Sequence, residues 1–232
     1  MHVEFVNFPR RSDRYAYLVK EFGQFLGGHV LDVGCDKAVL KQMLPGAAYT
    51  GIDIAGSPDI RLDLERIDSV PFDNDAFDCV VCLDVLEHLD NLHHVFRELV
   101  RVAKRYVIVS LPNNWVNARR PIEKGKGSFG HYGLPVHPVQ DRHKWFFSLS
   151  EAVDFAKGQE RNYPVSMIQT IVSEKPRPLW LRALRRLRHF SQQRYLASNR
   201  LKLVCGVYGR SKGMRAKLAF SLLLLEYTIS SD

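Results

Sequence analysis

Two hydrophobic periods alternate along this chain. Residues 13–26 place Tyr15, Leu18, Phe22 and Phe25 at helical spacing, with Ser12 or Asp13 ready to cap and Gly27-Gly28 ready to stop the helix. The run HVLDVG (29–34) is short, apolar and ends at a glycine, as a buried strand does. Residues 37–44 predict a helix, AYTGIDI (48–54) a second strand and DIRLDL (59–64) a short third. FDCVVCLDVL (77–86) predicts a fourth strand and RYVIVSLP (105–112) a fifth. Between them NLHHVFRELVRVAK carries Leu92, Val95, Phe96, Leu99 and Val102 on one helical face. Strands alternating with helices predict an α/β fold, a three-layer doubly wound and mostly parallel sheet with helices on both faces.

Beyond Pro112 the periodicity weakens. Residues 113–142 are rich in Gly, Pro, Asn and His and read as one long loop. A helix is expected at 150–157, started by Ser148 or Ser150. VSMIQTIVSE (165–174) reads as a sixth strand and RLKLVCGVYGR (200–210) as a seventh at the sheet edge. This divides the chain into an N-terminal helical segment (1–27), a core (28–174) and a basic segment holding a helical insertion, an edge strand and a last helix at 214–228 (175–232).

Composition sharpens that division. The net charge of +8 comes from 33 basic and 25 acidic side chains. Residues 175–217 hold thirteen Lys or Arg and no Asp or Glu, which leaves 20 basic and 25 acidic side chains, or −5, on the remainder. An acidic body with a basic appendage points to an anionic partner. No apolar run approaches the ~20 residues of a membrane span, and the N-terminus lacks the apolar stretch of a signal peptide. Cys35, Cys79, Cys82 and Cys205 are too few and too irregular for a disulfide framework, and reduced thiols suit a cytoplasmic protein. Cys79 and Cys82 form C-x-x-C, but on a strand they point to opposite faces.

Gly34, directly after the first strand, lets the backbone turn sharply against a ligand, and Asp53 at the end of the second strand is placed to accept from a ribose diol. This pair fits a dinucleotide enzyme, a methyltransferase or a plain α/β fold.

The next segment is more specific. Asp63, Pro71-Phe72, Phe77-Asp78 and Leu86-Glu87-His88 occur in order within RLDLERIDSVPFDNDAFDCVVCLDVLEHL, followed by RELVRVAKRYVIVSLPN. This series resembles the Rossmann-like core of class I methyltransferases, the type 11 group among them, over residues 28–113. The resemblance implies S-adenosylmethionine as cofactor. Asp32 would orient its methionine end, with Gly34 and Cys35 supplying backbone there and Leu83 a carbonyl near the amino group. Asp53 would bind the ribose hydroxyls, Ile54 would pack on the adenine, and Asp63 and the N–H of Leu64 would meet the adenine edge. The group usually has glycine where this chain has Asp36 and Ala38, so a slightly altered loop is expected. A second stretch, GLPVHPVQDRHKWFFSLSEA (133–152), is similar to a segment of bacterial members associated with glycan assembly.

A hydroxyl acceptor needs help to lose its proton. His88, His131, His137 and His143 are the candidates, with His143 and His88 foremost as catalytic residues. His131, His137 and His143 are evenly spaced without an evident Cys or carboxylate partner set, so no metal is expected.

Residues 179–190 wind into an amphipathic helix, with Trp180, Ala183, Leu184, Leu187 and Phe190 on one arc and Arg182, Arg185, Arg186 and His189 opposite. A docked helix, a peripheral contact of residues 175–217 with an anionic membrane face, and a nucleic-acid contact all fit; without a known RNA-binding module the last is the weaker. The expected acceptor is a small molecule, glycan or lipid-linked intermediate, with O-methylation as the reaction. An RNA methyltransferase and a non-catalytic adaptor are the rivals.

Overall fold

The computed structural model describes residues 2–8, 10–127, 130–139, 141–174, 176–188 and 201–210. Cys205 lies within a described strand, but its side chain is among those left undescribed, and the expected helix at 214–228, His189 and Phe190 fall outside the described residues.

The strands are β1 (His2–Phe5), β2 (His29–Val33), β3 (Ala48–Asp53), β4 (Ile60–Arg61), β5 (Phe77–Leu83), β6 (Ala103–Pro112), β7 (Val165–Glu174) and β8 (Leu201–Arg210). They form one eight-stranded sheet in the order β1-β7-β8-β6-β5-β2-β3-β4. Every neighbouring pair is parallel except those made by β8, which runs antiparallel to both β6 and β7. The mostly parallel doubly wound sheet was legible in the sequence. β1 was not. It has only four residues, too few for a readable period, and β7 supplies the pairing that makes it a strand. For the same reason β8 is internal rather than the edge strand expected, because β7 and then β1 lie outside it.

The helices are α1 (Arg11–Phe22), α2 (Val39–Met43), α3 (Leu92–Val102), α4 (Asn114–Glu123), α5 (Leu149–Asn162) and α6 (Leu179–Arg188). α1 and α2 cover one face of the sheet: Leu18, Phe22 and Leu40 pack with Val30, Cys79 and Val81. α3 and α5 cover the other: Phe96, Leu99, Leu149 and Ala152 pack with Leu31, Val80 and Cys82. Successive residues of a strand face opposite sides, so β5 feeds both cores and Cys79 and Cys82 lie on different faces. The described thiols are free and buried.

α5 begins at Ser148, whose hydroxyl accepts from the Glu151 N–H while the Glu151 carboxylate accepts from the Ser148 N–H. That reciprocal cap confirms one of the two expected start points. The stretch 113–142 is not one loop. α4 occupies its first third despite Pro121. The Gly, Pro and His content that obscured the period lies mainly beyond residue 123.

Candidate functional site

β2, β3 and β5 end together, and the strand order reverses at β2, with β3 on one side and β5 on the other. In open parallel sheets a ligand crevice forms at such a point, beyond the carboxyl ends of the strands. Asp32, Gly34, Cys35, Asp53 and Leu83 all fall there.

Asp32 is only 1% exposed. The Tyr49 hydroxyl donates to its Oδ2 over 2.8 Å. Burial raises its pKa to about 7, against the opposing effects of the Tyr49 hydrogen bond and the Arg11 charge. Gly34 has φ +77, and a Cβ there would run into Val85. Only glycine meets both demands, so the turn stays open to a ligand. Asp36 and Ala38 both have φ of 50, the left-handed backbone that glycine would adopt with least strain. The altered loop therefore keeps its path.

Asp53 holds that loop. Its Oδ2 accepts from the Asp36 N–H at 2.8 Å and its Oδ1 from the Ala55 N–H at 2.9 Å. Each oxygen retains a lone pair for a hydroxyl. Ile54, beside it, is 54% exposed. Asp63 caps a short 3-10 turn, Leu64–Arg66, accepting from Glu65 N–H at 3.0 Å, with Arg66 Nε 3.3 Å from its other oxygen. The Leu64 side chain is buried, so only its backbone can serve a ligand.

Two arginines the sequence reading passed over reach this edge from α1. Arg11 lies 3.2 Å from Asp36 and donates to the Gly34 carbonyl at 3.4 Å. Arg14 forms an ion pair with Asp84, the residue after β5. Their spacing of three places both on one helix face, a signal visible in the sequence.

On the other side of β5, a 3-10 turn (Leu86–His88) presents Glu87 and His88. His143 and His131 join them from the segment before α5. The ring centroids of His88 and His143 are 4.6 Å apart, and His131 stacks on His143 at 4.7 Å. His131 and His143 thus cluster with His88, while the evenly spaced His137 is exposed and lies outside the cluster. The missing carboxylates are also present. Asp141 Oδ1 is 3.0 Å from His88 Nδ1 and Oδ2 is 3.3 Å from His131 Nδ1. Glu87 Oε1 lies 3.8 Å from His88 Nε2 and 4.0 Å from His143 Nε2. Burial holds the Glu87 pKa up, at about 8. Burial, then the His88 and His131 imidazoles, push His143 down to about 3. Burial also lowers His88, against the pull of Asp141. One ring nitrogen from each of His88, His131 and His143 lies within 4.8 Å of the others, so these three are the side chains that could hold an ion.

A separate cavity of about 550 Å³, lined by His29, Thr50, Phe72, Phe77 and Arg101 among others, opens at the amino ends of β2 and β5. It lies at the opposite edge of the sheet from these residues. Its Arg101 is already engaged by Glu98 and by the carbonyls of Val70 and Phe72.

α6 follows β7 from the same carboxyl edge, as expected of a sixth strand parallel to the others. None of its residues is buried. Trp180 is 65% and Leu187 66% exposed, so among the described residues the apolar arc is largely uncovered. Arg182 departs from the expected outward set. Its guanidinium lies 3.4 Å from the Phe5 ring centroid and its Nε donates to the Arg177 carbonyl. No described helix is long and apolar enough to cross a membrane.

Residues 9–155 match the family model described as "Methyltransferase domain". A ubiquinone biosynthesis O-methyltransferase of Shewanella pealeana is 29% identical over 169 residues, covering 63% of this chain and 69% of that protein. The equivalent from Glaesserella parasuis is 26% identical, covering 61% and 74%. Among solved structures, a SAM dependent methyltransferase from Archaeoglobus fulgidus superposes with a TM-score of 0.53 at 16% identity, covering 87% of this chain and 95% of that one. The small RNA methyltransferase HEN1 does so at 0.55 and 14%, covering 92% of this chain and 27% of that one. With more than half its length matched and the cofactor edge built as described, the chain belongs to the methyltransferase-domain family and is a class I S-adenosylmethionine-dependent methyltransferase.

Proposed function

We propose that this enzyme methylates a hydroxyl oxygen of a small molecule, glycan or lipid-linked intermediate. The observation that carries the reading is the histidine cluster beside the cofactor edge, where a hydroxyl needs assistance to lose its proton. The relatives named as ubiquinone biosynthesis O-methyltransferases support oxygen as the acceptor atom.

S-adenosylmethionine would supply an electrophilic methyl group and leave as S-adenosylhomocysteine, and the proton released by the acceptor hydroxyl would pass to His88 or His143. The chain's own residues bind and align. Asp53 would take the two ribose hydroxyls on its remaining lone pairs, and exposed Ile54 would pack on the adenine. Asp63 and the Leu64 N–H meet the adenine edge. Asp32, the Gly34–Cys35 backbone and the Leu83 carbonyl hold the methionine end, and Arg11 and Arg14 close the edge from α1. His88 and His143 act on the acceptor hydroxyl. Alignment supplies much of the rate, because the sulfonium leaves readily.

The exposed apolar arc and the arginines of α6 support delivery of the acceptor from an anionic membrane face. RNA is the alternative anion.

The test uses methyl-labelled S-adenosylmethionine with separated lipid, glycan, small-molecule and RNA fractions. Label in an alkali-stable ether of the first three classes is expected. Label in RNA would overturn the acceptor class. His143→Ala and His88→Ala should each lower turnover ~10²-fold with cofactor affinity unchanged; unaltered turnover in both removes the cluster from the reaction.

A further inference from the structure

The histidine cluster has features that a proton acceptor does not require. His143 Nδ1 lies 3.0 Å from Asn114 Oδ1. That amide is fixed in orientation, because Asn114 Nδ2 donates to the Trp145 carbonyl at 2.7 Å and Tyr132 donates to the same Oδ1 at 3.0 Å. An oxygen can only accept, so His143 carries its proton on Nδ1 and presents a bare Nε2 lone pair. The His88 Nδ1 has the Asp141 carboxylate 3.0 Å away without a formed hydrogen bond, and its Nε2 lies 3.8 Å from Glu87 Oε1. The two Nε2 atoms converge on one point, Glu87 Oε1. The other carboxylate oxygen, Glu87 Oε2, is buried and has no hydrogen-bond partner among the described residues. A buried carboxyl with an orphaned oxygen costs folding free energy that either a proton or a bound cation relieves. His131 brings a third imidazole, with Asp141 again behind its Nδ1.

We infer that His88, His131 and His143 form a binding site for one divalent transition-metal ion, with the Glu87 carboxylate beside two of them. Three imidazoles and a carboxylate favour zinc, cobalt or iron(II) over magnesium, which prefers oxygen ligands and keeps its water. Asn114 is the outer partner that holds His143 in one tautomer, and the Asp141 carboxylate stands behind His88 and His131. Ligand nitrogens around a tetrahedral ion stand about 3.3 Å apart at the usual ~2.0 Å bond length, so the present separations, within 4.8 Å, must shorten and the stacked His131 and His143 rings must turn apart to aim at one ion. The ion sits beside the cofactor edge, where an acceptor oxygen that takes an open position loses its proton more easily. That last consequence rests on the proposed O-methylation; the metal site does not.

The experiment is a titration of chelator-treated full-length protein with cobalt(II), read by its visible absorption, then competition by zinc and by magnesium. One equivalent of cobalt with a spectrum of low coordination number is expected. Zinc should displace it and equal magnesium should not. His131→Gln, in the loop before α5, should weaken cobalt binding about 100-fold or more, the scale for losing even an outer partner. His137→Ala, outside the cluster, should leave it unchanged. Thermal stabilisation by S-adenosylmethionine confirms that each variant is folded. Absence of a cobalt spectrum, displacement by magnesium alone, or full affinity in folded His131→Gln and Glu87→Gln would each overturn the site. Cobalt binding without any hydroxyl methylation would retain it and reject the acceptor reading.

Discussion

The Tyr49 hydroxyl hydrogen-bonds the buried Asp32 carboxylate over 2.8 Å at the end of β2. That one donor, with Arg11 nearby, does not offset burial, and the carboxyl keeps its proton up to about pH 7.

A pH dependence with a definite sign follows. Below about pH 4 Asp32 is neutral in both the folded and unfolded chain. Between about 4 and 7 the unfolded carboxyl ionises while the folded one holds its proton, so Asp32 makes the fold progressively less stable as pH rises, levelling off above 7. Three pKa units correspond to about 4 kcal/mol at most. Asp32→Asn should therefore raise Tm at pH 8 more than at pH 6. It should also abolish a loss of cofactor affinity that the parent shows on acidification from pH 8 to 6. Tyr15, Tyr49, Cys35 and Cys82 also interact with Asp32, and burial raises each of them away from this window. Equal Tm gains at both pH values would show that Asp32 is ionised throughout.

Asp53→Ala should weaken S-adenosylmethionine binding about tenfold or more, since hydrogen bonds to a charged group contribute roughly 1.5–3 kcal/mol. The Asp36 and Ala55 N–H groups lose their acceptor as well, so the loop should loosen and cofactor protection against proteolysis there should diminish. Calorimetric titration of parent and variant decides it; matched affinities would remove Asp53 from the ribose site.

Arg14 ties α1 to Asp84 across the cofactor edge, with both side chains largely shielded from solvent. Arg14→Ala should reduce cofactor affinity about tenfold and leave far-UV circular dichroism unchanged. Arg14→Lys should restore part of it, because the charge returns without the forked geometry. No change in either variant would make this ion pair incidental to binding.

α6 offers a membrane test. Arg186 and Arg188 are exposed on it, and each basic side chain near an anionic surface is worth about 1 kcal/mol. Sedimentation with phosphatidylserine-rich vesicles, and little with neutral ones, is expected. Arg186→Gln with Arg188→Gln should reduce the difference, and Trp180→Ala should weaken attachment without lowering Tm, since Trp180 is exposed. A lower Tm in Trp180→Ala with no vesicle binding would mean a docked helix. Steeply salt-dependent binding to RNA, with no preference among vesicles, would favour the nucleic acid.

Local regularity made much of this fold legible in the sequence. β2, β3, β5, β6 and β7 are long enough to show a period, and α1, α3 and α5 carry an apolar stripe with recognisable ends. The ordered positions Asp32, Gly34, Asp53 and Asp63 lie close in sequence to the strand ends that carry them, so their shared edge could be deduced from chain order alone. The left-handed backbone at Asp36 and Ala38 followed from the loop's shape, which Gly34 and Asp53 impose.

Tertiary structure decided what depends on contacts between distant segments. β1 exists because β7 supplies its hydrogen bonds. His88 meets His131 and His143 only because the segment before α5 folds back on the turn after β5, with the Lys144 N–H donating to the Glu87 carbonyl at 2.8 Å. No local period encodes that return, so the sequence could not separate His137 from the clustered histidines or bring the carboxylates Glu87 and Asp141 beside them. Side-chain direction was equally out of reach: whether an arginine of α6 faces solvent or, like Arg182, lies on Phe5 depends on where a strand 177 residues earlier happens to end.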